Sequence, residues 1–124
     1  MRVEIFCLCD AATDNAGKLN ILGAFDTFYA PQLPFVYPFF CVALRMRFDS
    51  TEMGAHNVVV NFMDVDGKHV IQPAAGTLNI TSPGSANLIL NIQNLQLKRV
   101  GEYAIDLSVD GKNEATLALF VRQK

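Results

Sequence analysis

Apolar and polar residues alternate with a period of two along much of this chain. Phe40, Val42, Leu44, Met46 and Phe48 form one unbroken face against Cys41, Ala43, Arg45 and Arg47. Val58, Val60 and Phe62 repeat the pattern, as do Leu88, Leu90 and Ile92, and then Tyr103, Ile105, Leu107 and Val109. Successive side chains of a strand point to opposite faces, so this spacing predicts strands with one buried side. Val3, Ile5, Cys7 and Cys9 alternate with residues that are themselves mostly apolar, which suits a strand inside a sheet, covered on both faces. No segment carries apolar residues at helical spacing over several turns. The nearest helical candidate is a single turn at residues 94–99.

Turn chemistry divides the rest. Residues 10–17 read as a polar loop, 18–29 as a second strand bent at Gly23, and 31–40 as a proline-aromatic connection. Val-Asp-Gly-Lys occurs twice, at Val65-Asp66-Gly67-Lys68 and Val109-Asp110-Gly111-Lys112, each after an alternating run. Asp-Gly in such a setting signals a hairpin, so residues 56–64 and 68–72 are expected to flank the first copy.

Parity selects the register of the second hairpin. A loop of Asp110 and Gly111 alone would set Ile105 opposite Thr116 and mix apolar with polar on one face. A loop of Val109, Asp110 and Gly111 pairs Ser108 with Lys112, Ile105 with Ala115 and Tyr103 with Leu117, leaving one coherent apolar face. The expectation is a type I turn with left-handed Gly67 and Gly111 in bulges, Asp66 and Asp110 acting as turn residues. The same register pairs Phe62 with Val70, and sets Asp106 against Glu114 as a mildly repelling pair.

The segment Val100-Gly101-Glu102-Tyr103 resembles the tyrosine corner of immunoglobulin-like domains, with Tyr103 as the corner residue. With about eight or nine short strands and turn signals between them, the predicted fold is all-β. The architecture expected is an antiparallel β-sandwich with immunoglobulin-like or related Greek-key topology. The length of 124 residues fits one domain over 1–124. Hydrophobic residues make up 51% and charged ones 18%, a globular composition.

Charge narrows the partners. Net charge is -2, and no Lys/Arg cluster exceeds the pairs Arg45/Arg47 and Lys98/Arg99, which argues against nucleic acid. The longest apolar run, residues 34–44, is too short to span a bilayer and holds two prolines, so no membrane partner is expected. The chain enters a strand without the pattern of a signal peptide, and three cysteines make an odd number. Both features suit a reducing cytoplasm.

Candidate chemistry is sparse. Cys7 and Cys9 share a strand face and, with Cys41, His56 and His69, hold ligand atoms for zinc, but at no fixed spacing; core packing is the expected role of the cysteines. Asp64-Val65-Asp66-Gly67 begins like a calcium loop but lacks the acidic residue that closes one. The two histidines, His56 and His69, are expected to be solvated. No nucleophile elbow is present. No catalytic residue, cofactor or metal ligand is assigned. The unusual segment is aromatic: Phe35, Val36, Tyr37 and Phe39 either plug one end of the core, the favoured reading, or form an interface.

The stretch from Glu4-Ile5-Phe6-Cys7-Leu8-Cys9-Asp10 through Gly17-Lys18-Leu19-Asn20-Ile21-Leu22-Gly23, with Leu44-Arg45-Met46-Arg47-Phe48 and Gly101-Glu102-Tyr103, resembles a bacterial family of small proteins known only as a domain of unknown function. That resemblance implies one small bacterial protein and brings no activity or ligand. The expected function is therefore a non-enzymatic module that binds a protein partner or itself. The alternative is a small-ligand or carbohydrate-binding sandwich, with a metal-dependent enzyme behind both.

Overall fold

The computed structural model describes residues 1–124. Nine strands follow one another: β1 (Arg2–Asn15), β2 (Lys18–Phe25), β3 (Thr27–Ala30), β4 (Phe35–Phe48), β5 (Gly54–Met63), β6 (Ala74–Ile80), β7 (Gly84–Leu97), β8 (Gly101–Val109) and β9 (Lys112–Gln123). They form two sheets, ordered β2-β1-β4-β7 and β3-β9-β8-β5-β6. All pairings are antiparallel except β3 with β9. The sheets pack as a β-sandwich around a core of 21 buried apolar residues, with no polar side chain fully buried.

The core draws on the alternating faces of β4, β5, β7 and β8, as the period of two predicts. β1 lies between β2 and β4, the interior position its two-sided apolar character calls for. Two places break the period. β4 and β7 keep one register from Phe48–Gly84 to Phe35–Leu97, yet no pair forms between Pro38 and Asn94. Asn94 has φ 57°, and across it the buried set changes from Leu90 and Ile92 to Leu95 and Leu97. A single left-handed residue reverses the phase without changing the register. β1 and β2 do the same at Asp10 and Gly23, where Gly23 has φ 70° and the pair is again missing.

These reversals account for several departures from the sequence expectation. Residues 10–17 are not a loop: β1 runs to Asn15 and turns through Ala16 and Gly17, at φ 53° and 81°. Residues 18–29 are not one strand. The chain leaves the first sheet after Phe25, and Asp26 accepts a backbone bond from Phe120 at 2.8 Å as β3 joins the second. The proline-aromatic connection shrinks to residues 31–34, because β4 begins at Phe35 and pairs with β7 throughout the aromatic segment. The expected helical turn at 94–99 is strand as far as Leu97.

The two Val-Asp-Gly-Lys copies adopt different turns. In the first, Asp64 N donates to Lys68 O at 2.8 Å and Gly67 N to Asp64 O at 3.0 Å, with Gly67 at φ 76°. This is the expected three-residue loop. Val70 N reaches Phe62 O at 3.0 Å, the expected register, but pairing stops after one Met63–His69 bridge. The strand expected at 68–72 is therefore absent, and Met63 to Val58 pair instead with β8. The second copy corrects the prediction. Asp110 and Gly111, both left-handed at φ 53° and 82°, make a two-residue loop with Val109 opposite Lys112.

A bulge between Leu107 and Ser108 then shifts the β8–β9 register, so Ile105 faces Leu117 and Tyr103 faces Leu119. The apolar faces coincide, as parity demanded, but the extra residue sits in β9 rather than in the loop. The anticipated Asp106–Glu114 pair does not form. Asp106 lies opposite Thr116, whose hydroxyl donates to its carboxylate at 2.6 Å.

Candidate functional site

The far part of the β1–β2 ribbon lies outside the sandwich. Beyond Cys9 it parts from β4, whose pairing with β1 ends at Cys9–Cys41. The ribbon folds back over the outer face of its own sheet. Its tip is held there by polar contacts: Asn87 Nδ2 donates to Gly17 O and Asp14 Oδ2, both at 3.2 Å, and Arg45 donates to Gly17 O at 3.4 Å. Ala12 and Leu19 pack beneath it against Cys9, Cys41 and Ala43, a small second core outside the sandwich. The phase reversal at Asp10 and Gly23 turns these two side chains down; without it they would point away.

The cysteines thus pack as expected, but in this outer cluster and not in the main core. Cys9 and Cys41 are buried, Cys7 half-buried, and all three are free thiols. Burial pushes the Cys9 thiol up to about 11, and burial also raises Cys7. Thiolate is the reactive form, so this environment makes Cys9 inert. No three His, Cys, Asp or Glu side chains converge in a group that could hold a metal ion.

The upper side of the ribbon is open. Leu22 is 69% exposed there; Ile21, paired with Ala12, points to the opposite side and is 36% exposed at the rim. Both border, with Ala11, Ala12, Thr13 and Asn20 from the two faces of the ribbon, a shallow groove of about 340 Å³. β2 is also an edge strand, so its outer backbone groups face solvent.

The four interface candidates divide. Phe35 and Tyr37 are half-buried and pack on the core. Tyr37 stacks on Phe28 with ring centroids 4.1 Å apart, and Phe25, Phe40 and Phe62 complete an aromatic cluster at one end of the sandwich. Val36 and Phe39 are exposed, at 49% and 43%. Val36 and Tyr37 point to opposite sides of one strand, and the reversal at Pro38 turns Phe39 outward.

The turn and corner residues hold tertiary contacts as well. Tyr103, buried, donates from its hydroxyl to Arg99 O at 2.8 Å. Asp66 takes the Arg99 guanidinium. Asp110 Oδ1 accepts from Asn57 N at 2.9 Å, and its Oδ2 lies 2.6 Å from His56 Nδ1. The other His56 nitrogen is 2.6 Å from Glu52 O, and the Phe48 ring lies 4.8 Å away. Only the protonated imidazole can donate to both acceptors, and the Glu52 carbonyl, then Asp110, raise its pKa. The side chain of His56 is 13% exposed, so it is not the solvated residue expected; His69 is exposed.

Glu4, at the bulge in β1, carries a further knot. Ser85 Oγ donates to it at 2.5 Å and Arg47 Nε at 3.0 Å, holding its carboxyl down at about 2.

The chain belongs to a family of unknown function, DUF6941, whose model matches residues 4–122. No curated protein matches it. Two structures of β-glucosidase from Listeria innocua, in complex with glucose and with isofagomine, are similar over 97% and 98% of this chain, with TM-scores of 0.55 and 0.56. Identity is 12% and 10%, and the chain spans 16% of the length of those enzymes. Likeness at that identity concerns the fold.

The exposed residues that sequence reasoning missed are Ile21 and Leu22. They read as ordinary members of a strand, and nothing in their spacing says that the strand is a ribbon lying outside the sandwich. A signal was present in Gly23, the one glycine in that run.

Proposed function

We propose that the protein is a non-enzymatic interaction module whose contact surface is the β1–β2 ribbon. The observation that carries this reading is Leu22, 69% exposed on the open face of a free edge strand, with Ile21 partly exposed on its other face. An edge strand presents unpaired N–H and C=O groups, and exposed apolar side chains on it favour pairing with another chain. Burying Leu22 alone contributes about 2 kcal/mol. The occupant that fits is an extended strand, supplied by a second copy of this chain or by a protein partner. Val36 and Phe39 expose further apolar surface on β4, in the interior of the same sheet.

Other features are in keeping with this reading. The order β3-β9-β8-β5 facing β1-β4-β7, with β3 parallel to β9 and a tyrosine corner opening β8, supports an immunoglobulin-like topology. Three free thiols suit a reducing, cytoplasmic setting in a bacterial cell. The net charge of -2 disfavours nucleic acid, and no helix is long and apolar enough to cross a membrane. A small-ligand site has a separate candidate location, the cavity between the turns at residues 64–68 and 98–100.

Light scattering of the purified protein, together with affinity capture from its native cell, tests the proposal. The wild type should self-associate or retain a partner. Leu22→Lys should abolish this with an unchanged melting temperature. A monomer with the same captured proteins for wild type and Leu22→Lys would sink it.

A further inference from the structure

We infer that the cavity between the first Val-Asp-Gly-Lys turn and the β7–β8 connection binds a small doubly charged oxyanion, phosphate or a phosphate monoester. The cavity holds about 210 Å³ and is lined by Asp64, Lys68, His69, Val70, Gln96, Lys98, Arg99 and Tyr103. Three of these are permanent cations and one is an acid, in a chain whose net charge is -2. Lys98 and Arg99 are one of the two basic pairs in the sequence; the fold brings Lys68 and His69 across to meet them.

The frame of the cavity is fixed from several sides. Tyr103 bonds Arg99 O and holds the connection. Arg99 reaches across to Asp66, with Asp64 4.0 Å away, so its charge is spent joining the two turns. Gly101 has φ 143°, and a Cβ there would meet Val65 Cγ1 at 2.6 Å, so Val65 packs directly on the connection. Val70 N on Phe62 O and the Met63–His69 bridge tether the arm that carries Lys68 and His69. Asp64 is occupied too: its Oδ1 accepts from Asp66 N and Lys68 N at 2.9 and 3.0 Å.

Lys68 and Lys98 remain. Neither forms an ion pair; both are exposed and line the same cavity, whose one carboxylate, Asp64, is already engaged by its own turn. Two cations lining one cavity attract an anion placed between them. Two ammoniums match a dianion, and lysine serves phosphate as a point charge. The Gln96 amide and the His69 ring supply further hydrogen-bonding groups. The volume exceeds that of one ion, at about 30 Å³ for each displaced water, and Val70 with the Tyr103 ring offers an apolar wall for a small organic substituent.

Amide-resolved NMR titration with sodium phosphate at constant ionic strength, and in parallel with phenyl phosphate, tests the inference. Saturable shifts should be confined to residues 64–70 and 96–103. Lys68→Gln and Lys98→Gln should each weaken binding by about fivefold or more, while Lys18→Gln in the ribbon leaves it unchanged. Tighter binding of phenyl phosphate assigns the site to a monoester, and equal binding assigns it to free phosphate. Shifts that fail to saturate, that match a sodium chloride control, or that spread equally to Lys18 and Lys124 would overturn the proposal.

Discussion

Asp66 and Asp110 occupy equivalent places in two identical tetrapeptides, yet their carboxylates clamp different partners. Asp66 ties Arg99 to the first turn, and Asp110 ties His56 and Asn57 to the second. The His56–Asp110 pair makes stability depend on pH. The folded pKa of His56 is raised above its ordinary 6.5, so its contribution is complete below that value and is lost as pH rises through the folded one. The folded pKa of Asp110 is lowered from 3.8, chiefly by the hydrogen bond from His56, so its contribution is present above 3.8 and is lost as pH falls through the lowered value. The clamp is therefore strongest between these ordinary values. Thermal melts from about pH 5 to about pH 9 should show the wild type losing more stability than His56→Gln over that range. Parallel curves would mean that His56 binds its proton equally well in the folded and unfolded chains.

At the scale of elements, the ribbon explains why β1 is apolar on both faces. One face enters the sandwich core, and the other is covered by the chain's own hairpin, through Ala12 and Leu19. This cover is thin, so a single side chain controls access to the thiols beneath. Leu19→Ser should let a thiol reagent such as DTNB reach Cys9 and Cys41, whereas in the folded wild type half-buried Cys7 should be the one thiol to react. An unchanged count of reactive thiols, with global stability preserved, would show that the ribbon does not shield them. The two phase reversals, at Asp10–Gly23 and at Pro38–Asn94, were not legible from periodicity. Each needs one residue to take a left-handed conformation, and a period-of-two reading assumes that none does.

For the whole molecule, the aromatic cluster joins the sheets. Phe40 from the first sheet lies 5.4 Å from Phe28 and 6.0 Å from Phe62, both in the second, in edge-on arrangements. Phe40 is fully buried, so truncation leaves a cavity that neither sheet can close alone. Phe40→Ala should cost about 3–5 kcal/mol, a large part of a typical domain stability of about 5–15 kcal/mol. Urea unfolding followed by far-UV circular dichroism and by tyrosine fluorescence should shift together. Separate transitions for the two probes would mean that the sheets are not one cooperative unit.

The amino-acid sequence by itself determined the all-β class, the interior place of β1, the apolar faces of β4, β5, β7 and β8, and the left-handed Gly67 and Gly111. These follow from side-chain alternation and from turn chemistry, which act over a few residues. Only the tertiary structure decided that β9 rather than its loop holds the extra residue, and that residues 10–25 form a ribbon over the outer face. It alone also placed Lys68 and Lys98 around one cavity. Those outcomes depend on which distant surfaces meet, and contacts between distant segments leave no periodic trace in either one.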